Sequence, residues 1–291
     1  MLILRSARPG QILLALLNYG LGLAVARYLG KTINLETQYV GGVIILLLMA
    51  ASATLAEHFR PHNEPIPSHP HLTRAQRESL RTQLLTIGLA LVAVAFLLGF
   101  LLAWQGLLKP NAASLLVIFL LIALAQAIPP VRLVNTGFGE LAQAFLLAVC
   151  TPAIAFLLQS NDLHRLLTLL TLPLFLMALA GQLALNFPAY ADDLKYQRRT
   201  LLMRLTWQNA VPVHNGLLAA AYLIFPILPI TGFPLPLLWP ALLTVPLSAY
   251  QIFMLNNIAG GAKPLWPAIS INAAAIFGLT TYLLTLTFWL R

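Results

Sequence analysis

The sequence predicts an all-α protein that crosses a membrane nine times, and three observations predict it. Apolar residues make up 59% of the 291 positions and charged residues only 9%, where a soluble domain carries roughly 45–50% and about 25%. The apolar residues recur in long runs from residue 11 to residue 290, with only two polar interruptions longer than a tight loop. The runs are continuous rather than alternating, with Gly and Pro at their margins, which favours helices over the strands of a membrane barrel. Mean hydropathy, at +0.84, agrees.

Taken in order, the runs able to span are 11–29, 41–56, 84–108, 112–128, 141–158, 166–184, 211–228, 235–255 and 269–290. The composition supplies about 172 apolar residues, enough at roughly 20 per span for eight or nine helices. We read residues 1–291 as one polytopic domain of nine helices around a central cavity. The start has a second reading, because Arg5, Arg8, an apolar run and Ala24-Val25-Ala26 resemble a secretory signal with a small-residue cleavage site. Removing it would leave eight spans and export nothing soluble, so the helix reading is kept. Cys150, the only cysteine, sits inside an apolar run, which excludes disulfides and Cys-rich metal sites built from this chain.

Net charge is +9. In a soluble protein this would suggest nucleic acid; in a membrane protein, basic loops set orientation instead. With a cytoplasmic N-terminus, 12 of the 17 Lys and Arg fall on the inner side and 5 on the outer. The expected address is therefore the cytoplasmic membrane, multi-pass, N-terminus inside and no nucleic-acid partner. Six of the eight acids share the inner face. Acids contribute little to the orientation rule, so their clustering points to a site.

Two polar loops hold them. The first, EHFRPHNEPIPSHPHLTRAQRESLR, spans 57–81; its prolines break any helix through the first half, and Thr73 is a plausible N-cap for the second. His58, His62, His69 and His71 lie in it, but a proline-broken loop presets no coordination shell and no zinc spacing is present, so no histidine metal site is expected. Glu57 ends an apolar helix, where an unpaired carboxylate is costly. The second loop, NFPAYADDLKYQRRTLLMR, spans 186–204 and sets Asn186, Asp192 and Asp193 beside Lys195, Arg198 and Arg199. Two meanings stay open: a solvated loop with ion pairs worth about 0–1 kcal/mol each, or a diphosphate site in which carboxylates hold Mg²⁺ and basic groups take the remaining phosphate charge.

Three stretches resemble the UbiA superfamily of intramembrane prenyltransferases, especially the 1,4-dihydroxy-2-naphthoate prenyltransferase-like branch of menaquinone synthesis. FPAYADDLKYQRRTLLMRL, 187–205, is similar to that branch's FPDYxADxxxGxRTL pattern, and IPPVRLVNTGFGELAQAFLLAVCTP, 128–152, to its PPxRL...GxGEL...TP signature. ARPGQILLALLNYGLGLAVARYLG, 7–30, resembles the family's Arg-Pro entry into its first helix. The resemblance implies a polyprenyl diphosphate donor, an aromatic acceptor or other membrane lipid, and Mg²⁺ held between two Asp-rich motifs. Here those motifs are degenerate. Where the family writes NDxxDxxxD this chain has Ala56, Glu57, Arg60 and Glu64; where it writes DxxxD, it has Ala189 and Asp193, with Asp192 alongside. The family's glycine before RTL is Gln197.

Carried over residue by residue, the resemblance makes Glu57, Glu64, Asp192 and Asp193 the metal ligands and Asp193 and Arg60 the central pair, with Arg60 standing in for a second cation. It makes Lys195, Arg198, Arg199 and Asn186 substrate ligands, with Arg132, Asn135 and Glu140 on the acceptor side. Two functions follow: a prenyltransferase, or a catalytically impaired relative that binds a lipid or quinone without turnover. A small transporter is disfavoured, because coupling sites need ionisable groups near the membrane midplane.

Overall fold

The computed structural model describes residues 6, 8–64, 66 and 72–291. Among them there is no strand, and nine helices are long and apolar enough to cross a membrane. They are α1 Pro9–Tyr28, α2 Leu35–His58, α3 Arg74–Trp104, α4 Pro110–Ala127, α5 Gly139–Gln159, α6 Arg165–Lys195, α7 Leu201–Thr231, α8 Leu235–Ala259 and α9 Trp266–Trp289.

Local chemistry starts them. Pro9 and Pro110 occupy first turns, where the missing N–H has no helical partner to lose. The Asn34 side chain accepts from the Thr37 N–H at 3.1 Å, and Thr73 with Gln76 forms a capping box at the head of α3. That box explains why α3 begins ten residues before its apolar run: the polar TRAQRESLR segment continues straight into the span. α6 also outlasts its apolar run, passing through a 3₁₀ turn at Phe187–Ala189 into a last short helix, Tyr190–Lys195. α7 begins at Leu201 but is broken at Thr206, whose φ of 64° sets the first turn apart from the spanning part.

α5 carries a π turn, Leu146–Cys150, immediately ahead of Thr151 and Pro152. Pro152 offers no N–H to the turn before it, and widening there accommodates the lost bond. The Thr151 hydroxyl donates to the Leu146 carbonyl at 2.7 Å.

The helices pack as a bundle in which α1 lies against α5 and α9, α2 against α3, and α6 against α7 and α9. Small residues permit the close crossings: a Cβ on Gly22 would run into the Pro152 carbonyl, and one on Gly88 would meet Leu55 at 2.7 Å. Polar side chains bond across helices, as when Ser52 on α2 donates to the Ala123 carbonyl on α4 at 2.7 Å. Asn272 on α9 donates likewise to the Gln251 amide oxygen on α8 at 2.8 Å. Phe96, Phe100 and Trp104 on α3 and Leu121 on α4 stay exposed, as side chains that meet lipid do. Ala24, Val25 and Ala26, the signal-like stretch, are fully buried in the bundle. The chain is thus an integral, multi-pass membrane protein.

Candidate functional site

Both long polar loops lie at one end of the bundle. Arg60 follows the last turn of α2, Asp193 sits in the final helical turn of α6, and Arg198 and Thr200 lie just before α7. Between them is a cavity of about 190 Å³, lined by Arg8, Ala56, Arg60, Gln126, Arg132, Asn135, Glu140, Gln143, Gln182, Asn186, Ala189, Asp193, Arg198 and Thr200. A recess of about 20 Å³, room for a single water, extends it toward Gln11, Met49 and Ser52.

Arg198 ties the two loops together. Its Nε donates to Glu64 Oε2 at 2.8 Å and its Nη1 to Asp193 Oδ1 at 2.9 Å. Arg60 Nη1 reaches the same Glu64 oxygen at 3.2 Å, and the Thr200 hydroxyl donates to Asp193 Oδ2 at 3.2 Å. Glu64 and Asp193 are both buried, at 3% and 2% exposure. Charges so placed need partners, and the guanidiniums supply them. Arg81, reaching in from α3, donates to the backbone carbonyls of Arg60 and Pro61 and so fixes the first loop.

Glu140, 5% exposed at the N-terminus of α5, also lines the cavity. Its Oε1 accepts from Asn186 Nδ2 at 2.6 Å and from the Leu201 N–H at 3.0 Å, whereas Oε2 is buried with no partner. Gln126 Nε2, Arg60 Nε and Arg132 Nε are also buried without partners. The lining thus holds an unused acceptor on Glu140 and unused donors on Gln126, Arg60 and Arg132. Burial pulls the Arg60 guanidinium down to about 10, helped by Arg198 and opposed by Glu64, and burial lowers Arg132 too. Arg60 remains cationic at neutral pH.

Of the residues singled out in the sequence, the structure gathers Arg60, Arg132, Asn135, Glu140, Asn186, Asp193 and Arg198 onto one cavity. Glu64 stands behind its wall, held by Arg60 and Arg198. Glu57 is buried in the last turn of α2, beside the lining Ala56. Asp192, Lys195 and Arg199 are exposed and do not line the cavity; Lys195 Nζ lies 5.2 Å above the Tyr196 ring. His58 is bonded to the Arg81 carbonyl at 2.8 Å, His62 is exposed, and His69 and His71 lie outside the described residues.

Arg8, Gln126, Gln143, Gln182 and Thr200 were not anticipated. The glutamines had a signal: each is a lone amide near the end of an otherwise apolar run, and the recess sees Gln143 donate to Gln11, which donates in turn to Gln182.

A magnesium set does not fit these residues as they stand. Among the described residues no three His, Cys, Asp or Glu groups converge, and Glu64 and Asp193 already bond arginines.

No family model matches the chain. Over 131 residues it is 28% identical to the 1,4-dihydroxy-2-naphthoate octaprenyltransferase of Bacillus subtilis (strain 168), a match covering 44% of this chain and 42% of that protein. Solved structures match far more of it. A UbiA homologue from Archaeoglobus fulgidus bound to GPP and Mg²⁺ aligns with a TM-score of 0.64 at 14% identity, covering 98% of this chain and 99% of that one. An apo UbiA homologue from Aeropyrum pernix K1 aligns at 0.61 and 14% identity, covering 95% and 96%. The chain therefore has the UbiA fold through its whole bundle.

Proposed function

We propose that the protein is a membrane prenyltransferase that moves a polyprenyl group from its diphosphate to an aromatic acceptor. The observation that carries this reading is the convergence of both loops on one cavity, whose lining holds four guanidiniums and the unpartnered Glu140 oxygen. The fold supports it, since the A. fulgidus homologue was solved with GPP and, in a second structure, with DMAPP. The relative from B. subtilis suggests a naphthoate-like acceptor and a place in menaquinone synthesis.

In this reading the diphosphate lies among Arg60, Arg132 and Arg198. The allylic C–O bond breaks with its electron pair left on the diphosphate oxygen, and positive charge nearby stabilises that leaving group as it forms. A ring carbon of the acceptor then donates a pair to the allylic cation, and that carbon's proton passes to the released diphosphate, which restores aromaticity. Glu140 Oε2, the unused acceptor, takes a hydrogen bond from the acceptor hydroxyl, while Asn186 and the Leu201 N–H hold the carboxylate in place. Asn135 and Gln126 line the same cavity.

A second reading, a relative that binds a lipid or quinone without turnover, is favoured by one observation: Arg198 occupies both carboxylates that would otherwise hold magnesium. Reconstituted protein supplied with geranyl diphosphate and 1,4-dihydroxy-2-naphthoate decides between them. Prenylated naphthoate detected by mass spectrometry is the expected result. Retention of the acceptor without product, with or without added Mg²⁺, would establish the second reading.

A further inference from the structure

We propose that the cavity binds a diphosphate as a metal-free anion, gripped by Arg8, Arg60 and Arg132, with Arg198 as a built-in cation that fastens Glu64 to Asp193. The proposal rests on the diphosphate reading above and specifies how that anion is held.

The guanidiniums outnumber the carboxylates by one: Arg8, Arg60, Arg132 and Arg198 line the cavity with Arg81 reaching in from α3, against Asp193 and Glu140 in the lining, Glu64 behind it and Glu57 near Arg60. The site is cationic before any ligand enters. Asp193 and Glu64 are committed, since Asp193 accepts from Arg198 and Thr200, and Glu64 from Arg198 and Arg60. Adding a divalent cation would mean breaking the 2.8 and 2.9 Å bonds to Arg198 and leaving that guanidinium partly unpaired in a buried place. Adding an anion requires no such rupture. Arg60 and Arg132 line the cavity and each has an Nε donor without a partner, so a phosphate group there meets guanidiniums that still have hydrogen bonds to give. A guanidinium edge also matches two phosphate oxygens at once.

The backbone points the same way. Arg8 and Arg132 both hold left-handed conformations, at φ 53° and 35°, which non-glycine residues seldom adopt. Two such residues facing one cavity fit the pattern of local strain kept where side chains must be aimed at a ligand. Glu140, held by Asn186 and the Leu201 N–H, keeps an unpartnered oxygen and is not needed for the anion.

The test is calorimetric titration of the purified full-length protein with geranyl diphosphate, once in EDTA and once with excess Mg²⁺. Expected is binding in EDTA that Mg²⁺ does not strengthen, with Arg132→Gln and Arg60→Gln each weakening it roughly tenfold or more. Arg60→Lys, which retains the charge, should recover part of the loss, and thermal denaturation of each variant verifies folding. Binding that requires Mg²⁺ and vanishes in EDTA would overturn the metal-free site while leaving the prenyl-diphosphate reading intact. No binding under either condition would overturn both. Equal binding of geraniol, which lacks the diphosphate, would show that the tail alone is recognised and would also overturn the proposal.

Discussion

Arg198 shows how a single residue can change the meaning of a motif. Read along the sequence it is one basic residue in a run of three; in the fold it bridges the two loops, through Glu64 and Asp193. Asp193 is 2% exposed and accepts from both Arg198 and Thr200. Removing its carboxylate with Asp193→Ala strips those donors of their partner in a dry place, for which breaking a buried ion pair costs roughly 3–5 kcal/mol. Asp193→Asn keeps one acceptor oxygen and should cost clearly less. Thermal denaturation in detergent measures both, and equal melting temperatures for the two variants would show that Arg198 does not depend on this carboxylate. Gln197, one residue earlier, stands where the resemblance places glycine, and its φ of 53° supplies the reason. The position demands the left-handed region, where a side chain is strained by about 1–2 kcal/mol.

Among the elements, the nine spans were legible because burial in lipid leaves a plain sign, an unbroken apolar run. Their ends were not. α3 and α7 begin ten residues ahead of their runs and α6 ends eleven beyond its own, because capping groups and polar turns carry helix past the hydrocarbon. The candidate site was legible in its two loops, where charge stood out against an apolar chain. It was not legible in pairings between residues more than a hundred positions apart, such as Glu64 with Arg198, or in the glutamines contributed singly by different helices. Close crossings are likewise hidden in sequence, since Gly22 looks like its neighbour Gly20. In the fold, a Cβ on Gly22 collides with the Pro152 carbonyl of α5, a backbone atom that cannot rotate away, whereas at Gly20 it meets only the Thr285 methyl at 3.7 Å. Gly22→Ala should therefore lower stability by roughly 1–3 kcal/mol and Gly20→Ala by far less, read from melting temperatures in detergent. A Gly22→Ala protein as stable as the parent would mean that α1 and α5 can separate at no cost.

At the scale of the whole molecule, charge is divided between two ends. The cavity end gathers Arg8, Arg60, Arg81, Arg132, Arg198 and Arg204, together with the acids Glu57, Glu64, Glu140 and Asp193. At the far end Arg27 lies 4.4 Å above the Trp289 ring, and Asn111 bonds the Asn161 carbonyl. The excess of Lys and Arg at the cavity end predicts that this end faces the cytoplasm, with the N-terminus inside and, after nine crossings, the C-terminus outside. A prenyl diphosphate would then reach the guanidiniums from the aqueous phase while its tail stays in the bilayer, an arrangement that requires the cavity and the anion to share a side. The orientation is checked by introducing single cysteines at exposed loop positions, Asn63→Cys near the cavity and Asn161→Cys at the opposite end, after replacing the buried Cys150 with Ala. A membrane-impermeant thiol reagent added outside intact cells should label position 161 alone, and position 63 only after the membrane is opened. Labelling of both from outside would refute the nine-crossing arrangement. Labelling of 63 alone would keep the crossings but invert the protein, and would put the anion-binding end on the side away from the cytoplasm.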